Sequence, residues 1–149
     1  MVIVREFTEQ DRERLFDMIQ EIKEYDADFE GMDDIGRIED YDAFLMKLEK
    51  WKHQERIGPN YSPQTTFGVF DNERLIGGFV LRHKLKGMLI DHGGNIGYLI
   101  RPGERKKGFG KMLLKRALEK AREIGLEKVL VTCREDNIGS IKIIESNSG

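Results

Sequence analysis

The sequence has 149 residues, of which 39% are apolar, with 25 Lys and Arg, 27 Asp and Glu, 16 Gly and a single Cys. A chain of this length can fold as one domain without a disulfide or a metal, and we find no apolar run of membrane-spanning length and no signal peptide. The net charge of −2 argues against a general binder of polyanions, and the single cysteine favours a reducing, cytoplasmic compartment.

The first half of the chain is predicted to combine strands and helices. Alternating apolar residues predict a strand over residues 2–7, and Thr8 is placed to cap the helix that follows. A second helix carries the apolar side chains of residues 41–51 on one face. Residues 65–70 and 74–82 are rich in β-forming side chains and flank a turn, so they predict an antiparallel hairpin.

The second half is predicted to hold a strand, a helix and a strand in succession. Residues 95–101 predict a strand, and an amphipathic helix follows over residues 108–123. The apolar run 129–131 is typical of a buried central strand, and a last helix begins at Asn137. Two strands joined by a helix within about 40 residues predict parallel pairing through a right-handed crossover. The fold class is therefore mixed α/β, in a single domain spanning residues 1–149.

Charge is distributed unevenly along the sequence. Residues 24–42 hold nine acids against one Arg, a local charge of −8, whereas residues 101–128 hold ten Lys or Arg against four Glu, a local charge of +6. This asymmetry predicts an anion contact in the basic region and a cation contact in the acidic one. A merely solvated face explains the acidic run equally well.

The most informative segment is the basic turn that precedes the long helix. Its glycines and basic residues are Gly103, Arg105, Lys106, Lys107, Gly108, Gly110 and Lys111. The N–H groups and the dipole at a helix N-terminus attract anions, and glycines let a phosphate approach the backbone closely. The turn therefore predicts a phosphate-binding site. The alternative role for Gly108 and Gly110 is close helix packing.

Two common phosphate-binding motifs do not match this turn. The Walker A motif requires Lys and then Ser or Thr where this chain has Phe109 and Gly110. The dinucleotide fingerprint requires a third Gly or Ala where this chain has Leu113. The pattern that does match is Arg or Gln, two residues, Gly, one residue, and Gly or Ala, as in Arg105-x-x-Gly108-x-Gly110.

In this context the sequence resembles the GNAT superfamily of acyl-CoA-dependent N-acetyltransferases. The motif follows a strand ending in Leu99-Ile100, opens the longest helix, and is followed by an apolar strand and by Asn137-x-x-Ser140. The resemblance covers nearly the whole chain, and three segments are similar to a subgroup of predicted acetyltransferases: 65–67, 81–83 and 93–98. It implies a mixed, mostly antiparallel sheet with a central splayed pair of parallel strands and flanking helices.

The resemblance also implies acetyl-CoA as the co-substrate, with no metal. Main-chain groups of the strand carrying Leu99 and Ile100 would pair with the pantetheine arm, and Asn137 and Ser140 would lie along the same arm. The diphosphate would be held by the turn, whose residues are Arg105, Lys106, Lys107, Gly108, Phe109, Gly110 and Lys111. Asn137 is also a good helix N-cap whether or not a ligand binds.

The implied reaction transfers an acetyl group from acetyl-CoA to a primary amine by direct attack in a ternary complex. An alkyl amine has a pKa of about 10, so a base must remove a proton before attack, and an acid assists the departing thiolate. Where many relatives carry a tyrosine acid this chain has Ile144, and where a carboxylate base is common it has Asn95. Asp91 and His92 are the candidate bases, and Tyr98 is a candidate acid.

The acceptor and the chain end leave alternatives open. The acidic run favours a cationic amine, such as a polyamine, an aminoglycoside-like compound or a lysine side chain. Relatives continue past the last helix with a loop and two strands, whereas this sequence stops at Gly149. We therefore expect either an incomplete chain, or a shortened variant whose sheet edge is exposed or covered by a partner, which includes a homodimer.

Three functions follow from these features. The first is the N-acetyltransferase, and the second is a non-catalytic CoA-binding or sensing module of the same fold, suggested by the missing tyrosine and carboxylate. The third takes the basic turn as a nucleic-acid contact, which the acidic first half and the lack of an aromatic platform disfavour, so we expect no nucleic-acid and no membrane partner. Cys133 is expected to be buried, and the three histidines lack metal-ligand spacing.

Overall fold

The computed structural model describes residues 1–25, 38–86, 94–133, 135 and 137–148. In this part of the chain, four strands form one antiparallel sheet in the order β1 Val2–Glu6, β2 Gln64–Asp71, β3 Arg74–Arg82 and β4 Ile96–Ile100. The helices are α1 Arg12–Tyr25, α2 Tyr41–Trp51, α3 Gln54–Ile57, α4 Phe109–Glu123 and α5 Ile138–Ser146. Single 3-10 turns lie at Glu9–Asp11 and Pro102–Glu104. The mixed α/β class predicted from the sequence is confirmed.

The sheet carries a hydrophobic core on each face. The core on the α1 and α2 side is formed by Phe7, Leu15, Met18, Ile19, Ile22, Tyr41, Phe70, Leu75, Val80 and Leu99. The core on the α4 side is formed by Val69, Ile76, Phe79, Leu81, Ile96, Ile100, Leu113, Leu114, Ala117 and Ala121. Because side chains alternate along a strand, β4 contributes Leu99 to the first core, and Ile96 and Ile100 to the second.

The predicted parallel strand at residues 129–131 is not formed in the part of the chain that the structure describes. Val131 makes only an isolated antiparallel bridge with Gly94. Asn95 N donates to Leu130 O at 2.7 Å, and Leu130 N donates to Asn95 Oδ1 at 2.9 Å, so a side chain replaces one of the ladder hydrogen bonds. Beyond this link, no described strand pairs with the outer edge of β4.

Cys133 and the described helices bear on two expectations from the sequence. Cys133 is exposed, so the prediction that it is buried is wrong. It is exposed because residues 129–133 do not form a strand of the sheet. Among the described helices, none has the length and apolar character needed to cross a membrane.

Candidate functional site

The turn between β4 and α4 has an unusual backbone. Glu104 N and Arg105 N close a 3-10 turn by donating to carbonyl oxygens three residues earlier, at 2.9 and 3.3 Å. Lys106 and Gly108 then adopt positive φ angles of 62° and 86°, and Gly108 is the N-cap of α4. A Cβ added to Gly108 would meet no atom within 4 Å, so glycine is favoured here by its conformation and not by lack of space.

The turn presents a series of backbone donors to its surroundings. Among the described residues, no N–H group of residues 106–111 donates to a protein acceptor, and the first hydrogen bond of the helix runs from Met112 N to Gly108 O at 3.2 Å. The exposed basic side chains around these donors are Arg105, Lys106, Lys107 and Lys111. Together with the positive end of the α4 dipole, these groups form a site suited to an anion with several oxygens.

Gly110 has the packing role that the sequence left open. A Cβ at Gly110 would lie 3.1 Å from Ile143 Cγ1, closer still to Ile143 Cδ1, and 3.8 Å from Ile100 Cγ1. Asn147 Nδ2 donates to Lys111 O at 3.3 Å on the same side of α4. The absence of a side chain at Gly110 therefore lets α5 pack against the first turn of α4 and the end of β4. Phe109, next to it, is partly buried in the α4-side core.

The outer edge of β4 offers main-chain groups to a ligand. Arg101 N donates to Ile76 O at 2.8 Å, and the β3–β4 register continues without a bulge. Alternate residues of an antiparallel strand direct their backbone N–H and C=O groups to opposite edges. The backbone groups of Leu99 therefore point to β3, whereas those of Tyr98 and Ile100 point to the outer edge. Arg105 Nε donates to Ile100 O at 3.3 Å. Of the two residues predicted to line the pantetheine arm, the geometry thus favours Ile100.

The side chain of Tyr98, a residue of β4, lies near the start of α5. Its hydroxyl oxygen is buried and has no hydrogen-bond partner in the described residues. Burial raises the pKa of Tyr98, and Cys133 raises it further. The Ser140 side chain lowers the pKa, although its geometry does not meet that of a hydrogen bond. The phenol is therefore protonated at neutral pH, and no acceptor in the described part of the chain engages its proton. This arrangement suits a proton donor.

The start of α5 is held by its own cap. Asn137 Oδ1 accepts a hydrogen bond from Ser140 N at 3.0 Å, which is the structural role expected of an N-cap. Ser140 is partly buried near Tyr98, whereas Asn137 is exposed. The structure therefore brings Tyr98, Ile100, Gly110 and Ser140 to one side of the molecule.

The predicted general bases are not placed by the structure. Asp91 and His92 lie outside the described residues. Asn95, where the resemblance led us to expect a carboxylate, uses both the nitrogen and the oxygen of its amide for structure, because Nδ2 donates to Arg82 O at 3.1 Å while Oδ1 accepts from Leu130 N. Within the described ranges, no group of three His, Cys, Asp or Glu side chains could hold a metal ion.

Sequence analysis missed an anchor of the turn on α1. Gly103 N donates to Glu21 Oε2 at 3.0 Å, and Arg101 Nη2 donates to Asp17 Oδ2 at 2.6 Å. These partners are 82 and 84 residues apart in sequence, so no local pattern could reveal them.

Comparison with known proteins gives one family and one fold. The model of the Acetyltransferase (GNAT) family matches residues 13–149. The structure of yncA from Salmonella typhimurium, solved with its cofactor acetyl-CoA, is 17% identical at a TM-score of 0.64, covering 98% of this chain and 78% of its own. A transcriptional regulator from Bacillus halodurans is 19% identical at 0.62, covering 100% and 93%.

Glucosamine-6-phosphate N-acetyltransferase from Arabidopsis thaliana is 13% identical at a TM-score of 0.58, covering 99% of this chain and 90% of its own. At these identities the likeness concerns the fold alone. No curated protein matches the sequence significantly.

Proposed function

The chain belongs to the GNAT family of acetyltransferases, and on this basis we propose that it transfers an acetyl group from acetyl-CoA to a primary amine. The observation that carries the proposal is the turn at residues 106–111, whose backbone N–H groups have no acceptor among the described residues. A diphosphate supplies oxygen acceptors for such donors, and the four exposed cationic side chains of residues 105–111 complement its charge.

The remaining residues of the site fit the rest of the coenzyme. Tyr98 and Ile100 lie on the edge of β4 that no described strand covers. Their backbone groups other than Ile100 O, which accepts from Arg105 Nε, can pair with the amides of the pantetheine arm, as a further strand would. Ser140 and Asn137, at the start of α5, would lie beside this arm. Gly110 supports the arrangement indirectly, because it allows α5 to approach.

The chemistry in the ternary complex forms a C–N bond and breaks the C–S bond of the thioester. An ammonium acceptor loses one proton before attack and its nitrogen loses a second one afterwards, while the departing thiolate gains one. The acetyl thioester of the coenzyme supplies an activated acyl group for direct attack by an amine. Asp91 or His92 would take the proton that the amine must lose before it attacks. Tyr98 would give its hydroxyl proton to the departing sulfur, since burial keeps the phenol protonated and no acceptor among the described residues competes for its proton.

The acceptor is proposed as a small-molecule or peptide amine, with a cationic one favoured by the nine acids of residues 24–42. The Arabidopsis neighbour is named for an amino-sugar phosphate, so amino sugars belong among the amines to be tested. The net charge of −2 and the single cysteine support a cytoplasmic protein that binds neither nucleic acid nor a membrane.

A second function is favoured by Asn95, whose amide cannot titrate and has both its nitrogen and its oxygen in structural hydrogen bonds. The chain would then bind CoA as a sensing module without turnover, and the fold is shared by a protein named as a transcriptional regulator.

Native mass spectrometry with acetyl-CoA separates the enzyme from the sensor. It is followed by detection of released CoA thiol over a panel of polyamines, aminoglycosides, amino sugars and lysine peptides. Retention of the coenzyme with amine-dependent thiol release is expected of an enzyme. Retention without release from any amine indicates the sensor.

The coenzyme site itself is tested with two matched glycine variants. Gly108 and Gly125 both have positive φ, of 86° and 91°, and both have no atom within 4 Å of an added Cβ. Gly108→Ala and Gly125→Ala should therefore lose similar stability, of about 1 kcal/mol each. Only Gly108→Ala should weaken acetyl-CoA binding, by about tenfold or more as measured by calorimetry. Equal binding by both variants and the wild type would argue against the site.

A further inference from the structure

The turn that opens α4 is held from outside by helix α1. Gly103 N donates to Glu21 Oε2 at 3.0 Å, and the Glu21 carboxylate also lies 3.2 Å from Arg101 Nε. Arg101 is buried at 4% exposure and donates to Leu75 O at 3.1 Å and to Asp17 Oδ2 at 2.6 Å. The chain leaving β4 is therefore tied to both β3 and α1 before it reaches the exposed donors at residues 106–111.

The charges of this anchor are balanced internally. Glu21 lies 3.7 Å from Arg74 Nη2, and Arg74 also pairs with Glu104. Lys107 Nζ lies 3.5 Å from Glu104 Oε2. Because each carboxylate faces a cation, the three acids Asp17, Glu21 and Glu104 do not impose a net negative field on the neighbouring anion site.

The Glu21 carboxylate is ionised, which strengthens its hydrogen bond with Gly103 N. Burial works to raise the pKa of Glu21, but the hydrogen bond from Gly103 N and the charge of Arg101 outweigh it and lower the pKa, so the carboxylate is ionised at neutral pH. An ionised acceptor fixes the Gly103 peptide more strongly than a neutral one, and that peptide lies three residues before the first exposed donor. Ordering the turn in advance reduces the entropy that a ligand must remove when it binds.

We propose that Glu21 is a positioning residue, which touches no substrate but holds the 102–105 segment so that the N–H groups of residues 106–111 are pre-arranged for the coenzyme diphosphate. This inference rests on the proposed function. It assigns to α1 a part in coenzyme binding, although α1 packs on the face of the sheet opposite to α4.

The test compares three variants of the full chain by calorimetry with acetyl-CoA. Glu21→Ala removes both the acceptor and the charge, and it should raise the Kd for acetyl-CoA by about tenfold. Glu21→Gln keeps an oxygen acceptor for Gly103 N, so it should recover part of the loss. Glu24→Ala should leave the Kd unchanged, because Glu24 is exposed on the same helix and has Gln20 as its only side-chain partner among the described residues.

Two readouts separate positioning from general loss of stability. Hydrogen exchange of the coenzyme-free Glu21→Ala protein should be faster at residues 103–105, whose amides are hydrogen-bonded in the wild type, and unchanged in β2 and β3. In turnover with an accepted amine, the KM for acetyl-CoA should rise while kcat stays within twofold of wild type.

The outcomes also distinguish this inference from the proposed function. Failure of the wild-type chain to bind acetyl-CoA would contradict the proposed function. Tight binding by the wild type that Glu21→Ala leaves within twofold, or faster exchange spread over the whole sheet, would overturn only the role of Glu21.

Discussion

Tyr98 is the residue at which the structure adds most to the chemistry. A buried hydroxyl without a partner lowers stability, because it has lost its hydrogen bonds to water without gaining others. Tyr41 offers a direct contrast, since its hydroxyl donates to Thr8 O at 2.5 Å. Both tyrosines have raised pKa values because of burial, and Asp11 adds to the shift at Tyr41. Only Tyr98 lacks an acceptor among the described residues.

The Tyr98→Phe variant should therefore be as stable as the wild type or slightly more stable in urea denaturation. Tyr41→Phe, which removes a satisfied donor, should lose about 1 kcal/mol. If Tyr98 protonates the departing thiolate, Tyr98→Phe should lower kcat by about 100-fold with an unchanged KM for acetyl-CoA. An undiminished kcat would exclude Tyr98 as the acid and return the role to another group.

At the scale of elements, Asn95 replaces regular strand pairing between β4 and residues 129–131. Its backbone N–H and its side-chain Oδ1 both bond Leu130, while Nδ2 bonds Arg82 O of β3. One side chain thus links two neighbouring segments of backbone. A carboxylate could accept from Leu130 N, but it could not donate to the Arg82 carbonyl.

Asn95→Asp is accordingly expected to destabilise the protein at pH 7 by roughly 2 kcal/mol, because two oxygens would face each other in a buried place. Protonation of the new carboxyl restores a donor, so the loss should shrink as the pH falls towards 4.5. Asn137→Asp is the matched control, since Asn137 Oδ1 acts only as an acceptor for Ser140 N and Asp caps helices equally well. Urea denaturation at both pH values measures the difference, and an equal effect of the two substitutions would contradict this account.

Across the whole molecule, the buried carboxylate of Asp11 joins the sheet to the helices. It accepts hydrogen bonds from Arg5 of β1 and Arg14 of α1, and Arg5 stacks 4.0 Å over the ring centroid of Phe70 in β2. Burial works to raise the pKa of Asp11, but hydrogen bonds from Arg5 and from Thr8 N outweigh it and hold the pKa at about 2.

A carboxyl whose pKa is lower in the folded state than in the unfolded state stabilises the fold above its unfolded pKa. Asp11 should therefore contribute roughly 2 kcal/mol near neutral pH, and this contribution should disappear as the pH falls from about 4 to about 2. The free energy of unfolding in urea should fall more steeply over this range in the wild type than in Asp11→Asn. Asp42→Asn, at an exposed position, should behave like the wild type, and parallel curves for all three proteins would refute the assignment.

The sequence by itself determined most of the helices and strands and the glycine-containing basic turn that precedes α4. Hydrophobic periodicity and local caps act over a few residues, so they predicted helices α1, α2, α4 and α5, the hairpin of β2 and β3, and the N-cap at Asn137. The turn was recognisable because its glycines and basic residues are contiguous. The strand at residues 129–131 was wrongly predicted, since apolar composition does not show that the Asn95 side chain would take the place of a ladder bond.

Only the tertiary structure decided which groups meet. Gly110 differs in role from Gly108 because it faces Ile143, the Tyr98 hydroxyl is buried without a partner among the described residues, and the hydrogen bond from Gly103 to Glu21 joins residues 82 positions apart. Local patterns fix the conformation of each segment, whereas such contacts arise when hydrophobic burial brings distant segments together. Contacts of this kind are set by the way the two hydrophobic cores pack on the sheet. No short stretch of sequence contains the information for that packing.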